Sequence, residues 1–186
     1  MPADKTFKIC LIGPVEVGKT TILKNYSKDQ QEFLQTNNFN SQSPYSIMKI
    51  FNIDDKEILL NIWDFPSEFD NKNTIPLYLR GTNGILLIFD VSNKKSIKKL
   101  ENWAKTLNSV GSYLDINTIS LIVAGNKNDL DSPLKDQDTE KLVNKIQKTL
   151  NYKDEIPFFK VSAESNENIE EMFNTMLQLL LSKAKI

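Results

Sequence analysis

The stretch from Phe7 to Thr21, FKICLIGPVEVGKTT, constrains this chain more than any other. A short apolar run, Ile9-Cys10-Leu11-Ile12, leads into Gly13, and four residues later come Gly18-Lys19-Thr20. This is G-x-x-x-x-G-K-S/T directly after a predicted strand, the spacing of a phosphate-binding loop. The glycines let the chain wrap tightly enough for successive N–H groups to converge on an anion, and a helix starting near Lys19 adds its positive dipole end at the same point. Lys19 brings a mobile charge to β- and γ-phosphates, and the Thr20 hydroxyl can ligate Mg²⁺. The motif implies a nucleoside triphosphate with magnesium. Which nucleotide, and for what purpose, must come from the rest of the chain.

The remaining segments alternate between strand and helix patterns. Strands are expected at Phe7–Ile12, in a hairpin Tyr45–Ile53 and Glu57–Asp64 turning at Asp54-Asp55-Lys56, and at Gly84–Asp90, Ile119–Ala124 and Pro157–Val161. Helices are expected after the phosphate loop and at Ile75–Arg80, Ser92–Leu107, Asp136–Leu150 and Asn166–Ser182. The polar stretch Gln30–Ser43 reads as a long loop. Alternation of this kind gives βαβ units: an α/β fold with a mostly parallel sheet, one antiparallel edge strand and helices on both faces. No repeat or linker divides residues 1–186, so one domain is expected. Ligands bind such sheets at the carboxyl ends of the strands.

The chain has 186 residues, enough for one such core. Lys+Arg is 23 and Asp+Glu is 24, so the net charge of −1 makes no electrostatic case for nucleic acid or an anionic membrane. With no histidine and a single cysteine, Cys10, neither an internal disulfide nor the common metal clusters can form. There is no signal peptide and no apolar run of about 18 residues, so a cytoplasmic protein is expected.

Three strand-end loops carry chemistry. Gly125-Asn126-Lys127-Asn128-Asp129 follows a buried strand. Its aspartate can accept two hydrogen bonds from the neighbouring N–H groups of a guanine edge, which adenine lacks. The stem of Lys127 can lie along the base plane, and Leu130 stands beside it. Backbone N–H groups of Ser162-Ala163-Glu164 can meet the guanine carbonyl. Asp64, closing NIWD, can hold Mg²⁺ through water opposite Thr20. The phosphate loop supplies Gly13, Val15, Glu16, Val17, Gly18, Lys19, Thr20 and Thr21.

GPVEVGKT, NIWD, GNKND and SAE, in this order and spacing, resemble the small GTPases of the Ras superfamily. YLRG followed by GILLIFDVSNKKSIKKLENW is most similar to the Rab pattern. The resemblance runs from Phe7 to about Ser182. It implies a P-loop G-domain with a six-stranded sheet and about five helices. It also implies GTP and GDP as ligands, Mg²⁺, and two switch loops that order around the γ-phosphate and meet effector and exchange-factor proteins. A role in vesicle trafficking follows from the Rab likeness, with the protein cytoplasmic or peripheral on membranes through partners or a tail outside these residues.

The chain departs from that family at several points. The second switch, normally D-T-A-G-Q, reads Asp64-Phe65-Pro66-Ser67-Glu68. Glu68 takes the place of the water-orienting glutamine. A carboxylate accepts but cannot donate, and it would face an anionic γ-phosphate. Pro66 holds Phe65 extended. Slow intrinsic hydrolysis is therefore expected, with Lys19 and Glu68 as the catalytic candidates. Val15 stands where a side chain obstructs an incoming arginine finger, and Glu16 brings negative charge near the phosphates. The magnesium ligand of the first switch is Ser41 or Ser43 in place of threonine. Phe33, or its neighbour Leu34, is the candidate to pack edge-on against guanine. Glu164 replaces the family's lysine. The chain ends in SKAKI without the cysteines of a prenyl anchor. The alternative reading is a pseudo-GTPase scaffold that holds nucleotide structurally, with a Ras-like loop set but no working switch. A P-loop kinase using ATP fits less well, because Asp129 disfavours adenine.

Overall fold

The apolar runs become the centre of the sheet. β1 (Lys5–Ile12), β5 (Thr82–Asp90) and β6 (Ser120–Asn126) lie side by side and are buried almost throughout. Continuous burial of this kind belongs to parallel strands covered on both faces. The computed structural model describes residues 3–28, 33–36 (as backbone), 45–65, 75–111 and 114–186.

The hairpin consists of β3 (Ser46–Ile53) and β4 (Lys56–Asp64). Ile53 pairs with Lys56, so the turn is the two residues Asp54 and Asp55, with φ of 46° and 62°. Positive φ at both positions is the turn that matches the right-handed twist of the flanking strands, and Asp accepts it better than most residues. Lys56, expected in the turn, belongs to β4. β4 runs parallel to β1, which is parallel to β5; β5 is parallel to β6, and β6 to β7 (Phe158–Lys160).

The expected strands are all present. Beyond them a four-residue strand, β2 (Phe33–Thr36), pairs antiparallel with β3, giving, among the described residues, a seven-stranded sheet in the order β2-β3-β4-β1-β5-β6-β7. The polar sequence around β2 carries no alternation that would announce it. Its pairing comes from the edge of β3, a contact between segments and not a property of the segment. The β6 strand also runs two residues beyond the expected boundary, which makes Asn126 its last residue.

The helices are α1 (Lys19–Tyr26), α2 (Ile75–Leu79), α3 (Lys94–Ser109), α4 (Asp136–Leu150) and α5 (Ile169–Ala184). α1 and α5 cover one face, packing Ile22, Leu23, Met172 and Phe173 against Ile9, Leu11, Ile62 and Leu86. The other face takes α2, α3 and α4, with Leu79, Leu100, Ala104 and Ile146 over Cys10, Ile12, Leu87 and Val123. β1 alternates between the two cores, as period-two side chains require. Among the described residues no helix is long and apolar enough to cross a membrane.

Register decides what meets at the carboxyl edge. Leu11 pairs with Asp64, and Asp90 pairs with Asn126. The loop that leaves β1 is thus flanked by the ends of β4, β5 and β6.

Candidate functional site

Close packing dictates the path of the loop between β1 and α1. A Cβ on Gly13 would stand 2.1 Å from the Ile88 carbonyl oxygen, so only glycine lets the chain leave β1 against β5. Gly18, with φ +91°, would place a Cβ 2.3 Å from Asn126 Nδ2. Between them Glu16 takes φ 65° without being glycine, a conformation that costs about 1 kcal/mol or more. Its side chain is exposed, and Val15 is 49 % exposed beside it. Val17 is buried in the core, where it anchors the loop.

Lys19 opens α1 and folds back along the loop, donating from Nζ to Gly13 O (3.0 Å) and Pro14 O (2.9 Å). It is 6 % exposed. Burial lowers its pKa to about 8, with the Asp64 carboxylate opposing that shift. A buried ammonium resting on two carbonyls is poised for an anion that would satisfy it better.

Thr20 donates its hydroxyl to Asp64 Oδ2. The other carboxylate oxygen, Oδ1, is buried with no hydrogen-bond partner among the described residues. Burial raises the pKa of Asp64, while the Thr20 hydroxyl, Lys19 and Lys24 oppose it. An orphaned buried carboxylate oxygen is costly unless a cation or ordered water meets it. The hydroxyl and carboxylate are both hard oxygen donors of the kind Mg²⁺ takes, and too few to hold it without phosphate oxygens and water. No cluster of three or more His, Cys, Asp or Glu side chains forms among the described residues. The donor set therefore fits a magnesium ion that arrives with a phosphate ligand. A cleft of about 500 Å³ lies over these groups, lined among others by Glu16, Gly18, Lys19, Thr20, Thr21 and Lys127.

The far end of the cleft is built from three loops, and Asn126 ties them. Its side chain is 1 % exposed, donates from Nδ2 to Val17 O (2.8 Å) and accepts from Ala163 N–H (2.9 Å). Asn126 is thus a brace between the phosphate loop and the loop after β7, where the sequence suggested a reader of the base alongside Lys127 and Asp129. Asn25 of α1 adds a second tie, donating to Ala163 O. Lys127, at φ 67°, lies over the site with Nζ 2.8 Å from Asp90 Oδ2. Asp129 is exposed, and accepts a hydrogen bond from Ser162 Oγ. Leu130 is 50 % exposed next to it. Ser162 is fully buried. Ser162 N–H goes to Glu167 O (3.1 Å) and Ala163 N–H to Asn126, which leaves Glu164 N–H as the amide of that trio without a partner among the described residues. Phe33 lies on β2, but its side chain, with Ser41, Ser43, Pro66, Ser67 and Glu68, falls outside the described residues.

Asp90, Asn25 and Phe65 are site residues that sequence reasoning missed. Asp90 had a signal, since it closes a buried strand just as Asp64 does. Burial acts to raise its pKa, but hydrogen bonds from Lys127 and from Ser92 outweigh that, and the carboxyl sits below the ordinary carboxylate range. A carboxylate whose folded pKa is depressed adds stability above that range and loses it as pH falls through the folded value. Wild-type stability should therefore decline on acidification below about pH 4, and Asp90→Asn should flatten that part of the profile; urea midpoints between pH 3 and 7 would test it.

A family model described as Ras family matches residues 8–182. Ras-related protein Rab-8B of Homo sapiens is 30 % identical over 182 residues, spanning 97 % of this chain and 81 % of its own length. Ras-related protein Rab-13 of Rattus norvegicus is 29 % identical over 187 residues, with 97 % and 82 % covered. Ras-related protein SEC4 of Saccharomyces cerevisiae is 28 % identical over 182 residues, with 97 % and 77 % covered.

Proposed function

From the premise that this chain belongs to the Ras family, we propose that it is a guanine-nucleotide switch that binds GTP and GDP with Mg²⁺ and hydrolyses GTP slowly. The observation that carries the reading is the Thr20–Asp64 contact across the phosphate loop, with one carboxylate oxygen left unpartnered and a buried lysine resting on loop carbonyls. A magnesium-bound triphosphate would meet the carboxylate oxygen and give the lysine an anionic partner.

Lys19 would exchange its bonds to Gly13 O and Pro14 O for bonds to the β- and γ-phosphates, whose negative charge favours its protonated form. Thr20 and Asp64 would hold the ion together with phosphate oxygens and water. Mg²⁺ supplies neutralisation of the charge that builds on the phosphate oxygens. The Lys127 stem would lie along the base, Asp129 would accept from the guanine N–H groups, and Glu164 N–H would be available to the carbonyl. Adenine would leave Asp129 unpaired and present an amino group where the carbonyl belongs.

Hydrolysis is slow because Glu68 cannot donate to the attacking water and carries charge of the same sign as the γ-phosphate. Val15, exposed over the loop, obstructs a positive group entering from a partner. The likeness to Rab proteins supports a role in vesicle traffic, with effector and exchange-factor proteins meeting the switch segments. Residues 1–186 act as a single such domain.

The test is single-turnover hydrolysis of bound GTP with Mg²⁺, in the parent and in Glu68→Gln. The expected result is tight GTP binding, slow turnover, and a rise of about tenfold or more in the variant. Brisk turnover in the parent would mean that other residues orient the water. Binding of GDP alone, or of no nucleotide, would replace the switch with a scaffold.

A further inference from the structure

Asp64 is the last residue of β4, and strand ends fray unless something beyond them is fixed. Here the fixing is done by the next residue. Phe65 donates its N–H to Leu11 O (3.1 Å), continuing the line of β4 alongside β1, and its side chain is 2 % exposed. The ring stands edge-on to Tyr78 of α2 (centroids 5.3 Å, 79° between planes) and to Trp103 of α3 (6.2 Å, 85°). Edge-to-face pairs are directional, so two of them fix the position and tilt of the ring. The box is tied down in turn. Lys8 of β1 donates to Tyr78 O and Arg80 O at the end of α2 while standing over the Trp63 ring. Asp64 itself donates its N–H to Tyr45 O (2.7 Å).

We propose that Phe65 is a positioning residue: its ring, boxed by Tyr78 and Trp103, holds the backbone after Asp64 so that the carboxylate stays on Thr20 with one oxygen presented to the metal. The inference rests on the nucleotide-and-magnesium reading above. It assigns to an aromatic side chain the place where the family pattern has threonine. The chemistry of holding the ion stays with Thr20 and Asp64; the Phe65 ring lines the same cleft but offers the ion no oxygen or nitrogen donor. Loss of the ring would let the end of β4 rotate, and the carboxylate would exchange its fixed pose for several. Outer residues that orient a ligand in this way change metal affinity by about ten- to a hundredfold.

The experiment measures Mn²⁺ binding to the GDP-loaded protein by electron paramagnetic resonance, and GDP affinity in excess EDTA, for the parent, Phe65→Ala, Phe65→Leu, Trp103→Leu and Asp64→Asn. Phe65→Ala should weaken Mn²⁺ binding about tenfold, a larger factor than its effect on metal-free GDP affinity. Phe65→Leu, which refills the box, should recover most of the loss. Trp103→Leu, from outside the cleft lining, should shift it about threefold in the same direction. Equal losses of metal and metal-free nucleotide in Phe65→Ala would mean general loosening and would overturn the proposal. So would unchanged Mn²⁺ affinity in Phe65→Ala and Trp103→Leu while Asp64→Asn loses it. If Phe65→Ala does not fold, Trp103→Leu decides alone. If Asp64→Asn leaves Mn²⁺ binding intact, it is the metal reading that fails.

Discussion

Replacing Asn126 by alanine is expected to abolish useful nucleotide retention and to lower the stability of the whole carboxyl edge. The side chain spans 109 positions of sequence to Val17 and 37 to Ala163, both through buried hydrogen bonds. Alanine would leave Val17 O and Ala163 N–H unpaired. Each buried group without a partner costs about 1–3 kcal/mol, so the combined loss for the two is about 2–6 kcal/mol. Its site of action matters more than its size. Val17 precedes Gly18 and Lys19, and Ala163 precedes Glu164, so in the proposed binding mode phosphate and base contacts would lose registration together. A fall of at least about a hundredfold in GDP affinity should accompany the lower melting temperature. Fluorescent GDP release and a thermal melt would check both. A variant that melts early yet holds GDP normally would show that the brace serves stability alone. Aspartate at this position would be worse than alanine, because it cannot donate to Val17 O and would bury a charge.

The second large effect is on the base. Asp129→Asn should weaken GTP binding by about a thousandfold and create binding of xanthosine triphosphate. In the proposed binding mode the carboxylate accepts two charge-assisted hydrogen bonds from a guanine edge, each contributing about 1.5–3 kcal/mol. The amide of asparagine retains one acceptor and presents a donor toward the guanine amino group, a donor facing a donor. Xanthine carries a carbonyl there, which the amide donor can meet. Ser162 Oγ, which donates to Asp129 Oδ1, can still donate to the asparagine carbonyl, so the loop should persist and the melting temperature should move little. Competition between the two triphosphates on parent and variant tests it. An unchanged preference for GTP would remove Asp129 from base recognition and leave Glu164 N–H and the loop backbone to do it. Because the residue is exposed in this structure, its discrimination depends on the base itself excluding water on binding.

The two readings of Asn126 illustrate what a linear reading of such a chain can reach. Asn126-Lys127-Asn128-Asp129 looks from its order like one unit devoted to a base. In three dimensions the unit divides. Asn126 ends β6 and turns inward to two other loops, Lys127 takes a positive φ and pairs with Asp90, and Asp129 is exposed and accepts from Ser162. Only Asn126 belongs to β6, where strand alternation turns it inward; Lys127 and Asp129 take their directions from the turn that follows.

Phe65 makes the same point from the other side. Beside Pro66 and Glu68 it reads as a defect in a switch motif. Packed against Tyr78 and Trp103 it is part of the core of the α2–α3 face. No local rule links those three positions, because α2 and α3 reach β4 only after the sheet has placed them.

The sequence by itself determined the phosphate loop, the order of strands and helices, and the acidic and amide residues at the strand ends. These depend on spacing within a few residues, on apolar periodicity and on backbone freedom at glycine, all of which are local. Tertiary structure alone decided that β2 adds to the edge, that Asn126 braces three loops, that Lys127 pairs with Asp90, and that Phe65 anchors the end of β4. Each of those is a contact between segments far apart in the chain, and which groups meet is settled by sheet register and by the burial that register imposes.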